Sequence, residues 1–189
     1  MPDRNVKTIG DLIYYQYAKI VARRAFGMPD GKEAKRKHYG FIKKTFRELK
    51  SGDKLWSEIT REDWQFVEAE KKCAYCGSES DLQREHIVPK SLPIRLECKT
   101  CDVIQGIHNQ IWAYGGCNFL KSTKGLYEFY REKHPSESKF YDFIPPLLEK
   151  KYLKTIINCH ECAKTLGMGD LDRDGKITVL DIDFILHQN

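Results

Sequence analysis

Six of the seven cysteines in this 189-residue chain fall in three Cys-x-x-Cys pairs: Cys73/Cys76, Cys98/Cys101 and Cys159/Cys162, with Cys117 alone. Two thiolates on a tight turn make half of a tetrahedral zinc site. Three such pairs therefore predict a fold tied together by metal as well as by an apolar core. The N-terminus, MPDRNVKTIGDLIYYQYAK, lacks the basic segment and apolar core of a secretory signal. That predicts a reducing, cytoplasmic setting, where such pairs act as metal knuckles more often than as disulfides. No apolar run reaches the ~20 residues that span a bilayer, so no membrane partner is expected.

The formal net charge of +5 is unevenly spread. Residues 169–189 carry five acids and two bases, a net of −3, which leaves +8 on the rest of the chain. A basic body suits a polyanion and an acidic tail suits a cation.

Periodicity predicts helices over residues 8–27, 33–50 and 59–71, the last capped by Thr60. MPDG, residues 28–31, reads as a turn, and PSESKF, residues 135–140, as a polar linker. Helical character returns at 126–133 and 145–165. Between these lie two short segments of strand character, LQREHI (82–87) and GIHNQIWAY (106–114), then a Gly-Gly-Cys-Asn sequence that opens a helix. His86 at the end of the first strand, Asn109 on the second and Asn118 at the helix start can then converge.

Four segments occur in order: Cys73-Ala-Tyr-Cys76-Gly, Glu85-His86-Ile-Val-Pro-Lys-Ser, His108-Asn109-Gln-Ile-Trp and Cys117-Asn118-Phe-Leu-Lys121. Together, over roughly residues 70–130, they resemble the HNH endonucleases of the ββα-metal fold. The resemblance implies an α+β fold, with a small nuclease core flanked by N-terminal and C-terminal helices. It implies hydrolysis of DNA phosphodiesters to a 5′-phosphate and a 3′-hydroxyl. His86 matches the general base and Asn109 the residue that orients it through the backbone. Glu85 and Asn118 match the ligands of a catalytic Mg²⁺ or Mn²⁺, a role that hard oxygen donors suit. Lys121 and Lys124 lie where phosphate-contacting cations are expected. Neutral imidazole, titrating near pH ~6.5, can accept a proton from water at working pH.

The same resemblance implies zinc held by two knuckles around the first strand and the second strand–helix junction. Cys73, Cys76 and Cys117 match three of those ligands, and Tyr114 stands where the fourth thiolate is expected. Cys98, Cys101, Cys159 and Cys162 make a complete four-thiolate set that would staple the C-terminal helix to the loop between the strands. The competing pairing joins Cys73/Cys76 to Cys98/Cys101.

The tail reads GDLDRDGKITVLDIDFIL from Gly169. Asp170, Asp172 and Asp174 occupy positions 1, 3 and 5 of a calcium loop, Gly175 position 6, Lys176 a backbone-carbonyl position, Thr178 position 9 and Asp181 position 12. The stretch resembles one calcium-binding repeat of a dockerin, which pairs two such repeats. It implies Ca²⁺; with no second repeat in the sequence, the family's partner binding does not carry over, and a protein partner through this repeat stays open.

The expected organisation is a basic helical region (1–70), the nuclease core (71–135), a C-terminal helical region (136–168) and the calcium loop (169–189). In the first, Tyr14, Tyr15, Tyr17 and Tyr39 are expected in a core with Ile13, Ile20 and Phe26, and the Lys/Arg face either meets DNA or is simply solvated. Two rival functions stay open: a non-catalytic zinc-knuckle nucleic-acid binder and a calcium-dependent interaction protein.

Overall fold

A computed structural model describes residues 4–55, 70–92 and 102–187. Helix α1 (Ile9–Phe26) starts at a side-chain cap, the Thr8 hydroxyl accepting from the Asp11 N–H at 3.1 Å, and stops at Gly27, whose φ of +67° leaves the helical region. Asp30 caps α2 (Gly31–Ser51), which folds back along α1 and buries Ile42, Phe46 and Leu49. Tyr15 and Tyr17 join this core as expected, but Tyr39 and Phe26 do not: Tyr39 is 44% exposed, and Phe26, at the end of α1, is 53% exposed and edge-on to Phe41. The third expected helix and its Thr60 cap fall almost wholly outside the described residues, and Glu70 and Lys71 are not helical.

Strand β1 (Leu82–His86) pairs antiparallel with β2 (Gln110–Tyr114), with Arg84 opposite Trp112, Glu85 opposite Ile111 and His86 opposite Gln110. The second strand is shorter than expected. A one-turn helix, α3 (Asp102–Gln105), and a 3₁₀ turn over Ile107–Asn109 precede it, so Asn109 ends the turn rather than lying within the strand. The reason is its amide, which turns inward to bond backbone groups. Helix α4 (Gly115–Lys121) follows β2 without a loop, and Asn118 sits in its middle. The paired glycines make that junction possible by leaving space. A Cβ on Gly115 would lie 2.3 Å from an Asp81 carboxylate oxygen, and one on Gly116 2.6 Å from the Tyr114 ring.

Helix α5 (Leu126–Lys133) and helix α6 (Pro146–Cys162) complete the body, with a proline in the first turn of α6 where the missing N–H costs nothing. The tail ends in a short helix, α7 (Leu180–Asp183), and a 3₁₀ turn. One core holds Ile9, Ile13, Tyr127, Tyr152 and Ile156 together with tail residues Ile182 and Ile185. Polar links bind the tail further. The Ile9 and Gly10 N–H groups donate to the carbonyls of Met168 and Leu166. The His160 ring, fully buried, lies 2.9 Å from the Ile182 carbonyl and 2.8 Å from the Thr165 hydroxyl. Because a carbonyl only accepts, Nε2 carries the hydrogen and Nδ1 accepts from Thr165. Asp183 accepts from the Glu128 N–H (2.7 Å) and the Tyr152 hydroxyl (2.6 Å), so it caps α5 from 55 residues away. Gly125 permits this, since a Cβ there would lie 2.1 Å from the Asp183 carboxyl carbon. The described residues are thus helices around one two-stranded antiparallel sheet, compatible with an α+β fold. Among the described residues, no helix is long and apolar enough to cross a membrane.

Candidate functional site

Successive strand residues face opposite sides of a sheet. On β1 this separates neighbours. Glu85, with Ile111 and Ala113, is buried on the face covered by α4, whereas His86, Arg84, Trp112 and Gln110 share the opposite face. His86 is half-buried. Burial, then the nearby Lys90 and Lys121 cations, hold its pKa below the usual imidazole value, so it is neutral and able to accept a proton.

Asn109 fixes the backbone that follows. Its Oδ1 accepts from the Val88 N–H at 2.8 Å, and its Nδ2 donates to the Val88 carbonyl (2.8 Å) and the Ile104 carbonyl (2.9 Å). The Ile87 N–H donates to the Asn109 carbonyl at 2.9 Å. The oxygen and nitrogen of this fully buried amide group therefore both hold the segment just past His86, and the nitrogen also ties it to α3.

The helix-facing side is arranged differently. Asn118 Nδ2 donates to Gln83 Oε1 at 3.2 Å, and Lys121 Nζ lies 3.2 Å from Glu85 Oε1. Residues three apart on α4 thereby meet residues two apart on β1, forming a polar seam between helix and strand. Lys121, expected to reach a phosphate, is instead fully buried. Its ammonium is pushed down by burial and supported by Glu85 and, more remotely, by Asp183. Burial raises the Glu85 carboxyl above its ordinary range, against the pull of Lys121. Lys121 and the Tyr75 hydroxyl both bear on the Glu85 carboxylate, though neither meets strict hydrogen-bond geometry. As placed, Glu85 and Asn118 do not fit a shared divalent cation: one faces an ammonium and the other a glutamine amide. Lys124 also has local partners, donating to the Leu120 carbonyl at 2.8 Å and pairing with Glu132 at 2.9 Å.

The Cys73 and Cys76 thiols meet Cys117 from α4, the three sulfurs lying within 4.8 Å of one another. The knuckle turns at Gly77, with φ +77°, whose N–H donates to the Cys73 carbonyl. It is anchored to the sheet by the Ala74 N–H on the Trp112 carbonyl, 2.8 Å. Burial and the neighbouring sulfurs push the Cys117 thiol up to about 12. At Cys73, burial is outweighed by backbone hydrogen bonds from Tyr114, Tyr75 and Cys76, and the thiol is lowered. Three converging sulfurs suit zinc, which would neutralise the thiolate charge. Tyr114 stands at the N-terminus of α4, 38% exposed. Of the other four-thiolate set, Cys159 is buried and Cys162 exposed on α6, while Cys98 and Cys101 lie outside the described residues.

In the tail, carboxylate oxygens of Asp170, Asp172 and Asp174 lie within 4.8 Å of one another. The Gly175 N–H, at φ +85°, donates to Asp170 Oδ2 (2.7 Å), which folds the loop over its own first ligand position. Asp181 is fully buried and clamps the loop from behind. Its Oδ1 accepts from the Leu171 N–H (2.7 Å) and Oδ2 from the Thr178 N–H (2.7 Å). Asp170, Asp172 and Asp174 are thus compatible with one hard cation, whereas Asp181, expected as a further ligand, is engaged by backbone N–H groups and lies outside that cluster.

The residues that sequence reasoning missed are Gln83, Tyr75, Asp183 and His160. Strand alternation from Glu85 could have found Gln83, but Asp183 and His160 matter only through contacts far along the chain. No family model, curated protein or solved structure matches the chain.

Proposed function

We propose that the chain is an HNH-type endonuclease acting on DNA, with His86 as general base. The observation that supports this best is the Asn109 amide held against both backbone polar groups of Val88, two residues past a neutral, half-buried histidine. The strand–strand–helix order around it and the three-thiolate knuckle suit the same reading. In the reaction, His86 takes a proton from water, the resulting hydroxide attacks phosphorus, and the P–O3′ bond breaks with its electron pair going to O3′, which takes a proton from solvent to leave a 3′-hydroxyl and a 5′-phosphate. Lys121 occupies the Glu85 carboxylate and would have to leave before a catalytic cation could enter there. Zinc at Cys73, Cys76 and Cys117 would fix the knuckle to α4. Calcium at Asp170, Asp172 and Asp174 would be structural, since the tail packs into the main core.

The Glu85–Lys121 pair favours a second reading, in which the same scaffold binds nucleic acid without cutting it. Incubating supercoiled plasmid with the protein, in EDTA and in Mg²⁺ or Mn²⁺, separates the two. Nicking supports the nuclease. Binding without nicking in every buffer supports the binder.

A further inference from the structure

The outer face of the ribbon carries an aromatic ring under two cations. Lys71 Nζ lies 5.0 Å and the Arg84 guanidinium carbon 5.5 Å from the centroid of Trp112. Arg84 and Trp112 face each other across the strands, one position along from His86 and Gln110 on the same side. At a rise of about 3.3 Å per residue, Arg84 stands roughly 7 Å from His86 along β1, a distance comparable to neighbouring phosphates on one strand. Lys90 approaches His86 from the other end and acts on it electrostatically.

These cations are not neutralised locally. Neither Lys71 nor Arg84 has a carboxylate partner among the described residues. Glu70 and Glu79 are both held by Lys72, at 2.8 and 2.9 Å, and Glu85, next to Arg84 in the chain, faces the other side of the strand and pairs with Lys121. Lysine and arginine side chains otherwise carry much rotational freedom, which binding must remove. Stacking on Trp112 removes part of it beforehand, and a cation over a ring is still free to donate to an anion. The covered ring is correspondingly a platform for the cations and not for a nucleobase.

We infer that Lys71, Arg84 and Trp112 form a phosphate-binding surface that lays one strand of a nucleic-acid backbone across the ribbon toward His86, without reading bases. The inference rests on the proposed function for the role of His86, but it concerns binding and is tested by binding. It replaces Lys121 and Lys124 as the principal phosphate contacts.

The experiment measures affinity for fluorescently labelled duplex DNA by anisotropy as a function of salt, using the full chain. The K71Q/R84Q variant should bind about tenfold more weakly, and the slope of log K against log salt should flatten by roughly two, close to 0.9 per lost contact. W112A should weaken binding in the same direction and W112F should largely restore it, since a ring persists. Both sites are on the surface, and circular dichroism checks that each variant is folded. A shuffled DNA sequence should bind within about twofold of the original. An unchanged affinity and slope in K71Q/R84Q, or a strong preference for one sequence, overturns the inference. Where nicking is detectable, K71Q/R84Q should raise KM and leave kcat within about twofold. Binding that depends on these residues in a protein that never nicks would retain the surface and remove the nuclease reading.

Discussion

The two faces of β1 follow opposite rules, although they alternate residue by residue. Under α4, Glu85 and Gln83 meet Lys121 and Asn118 in one-to-one pairs, and the charged pair is withdrawn from water. On the outer face, His86 and Arg84 lie beside Trp112 and Lys71, partly in solvent and without carboxylate partners among the described residues. The inner face is charge-balanced and holds the helix. The outer face has surplus positive charge and a neutral base. Chemistry on an external polyanion belongs on the second.

Breaking the inner face should give the largest effect on stability. Lys121→Ala leaves a buried carboxylate without its counter-ion, which costs about 3–5 kcal/mol and should appear as a lowered denaturation midpoint in urea. The double variant E85L/K121M removes both charges and should recover most of that loss, because paired apolar replacements of buried ion pairs are often neutral. A single variant as stable as the wild type would show that the pair does not hold the seam.

Where the tail meets α6, the buried His160 ring supplies a reference with two close polar partners. Burial holds His160 at about 4, below an ordinary 6.5, with the Ile182 carbonyl opposing. Between those values the unfolded chain takes up a proton that the folded chain refuses. Stability from this group is therefore full above pH 6.5 and falls as pH drops toward 4, by an amount on the order of 3 kcal/mol. Asp183 and Glu149 act in the opposite direction. Burial raises each to about 7, so they weaken the fold as pH rises toward that value. The difference in unfolding free energy between wild type and His160→Asn isolates the histidine, and should shrink as pH falls from 7 to 4.5.

Calcium should give a smaller shift. At a hundred times its dissociation constant, an ion bound only by the folded state adds about 2.7 kcal/mol. Thermal melting should then rise by several degrees, and the rise should vanish in D170A/D174A. No shift in the wild type would leave the aspartates as a solvated loop.

Much of this arrangement could be read from the sequence. Thr8 and Gly27 bound α1, residues 126–133 form α5 as their spacing indicated, and LQREH forms a strand. The alternation that separates Glu85 from His86 is also visible in LQREH, as is the placement of Arg84 beside the histidine. What could not be read was the fate of Lys121. A lysine in the last turn of a short helix ordinarily extends into water, and its burial here depends on Glu85 across the seam and on the tail that covers this side of the molecule. The same distance along the chain hid the capping of α5 by Asp183.

The most direct test changes His86 alone and measures two properties of one preparation. Because His86 lies on the outer face, outside the seam, His86→Ala should lower plasmid nicking by a factor of roughly 10²–10⁴ while the melting temperature stays within about 2 °C of wild type. Nicking retained in His86→Ala, or lost only together with the fold, would contradict the account.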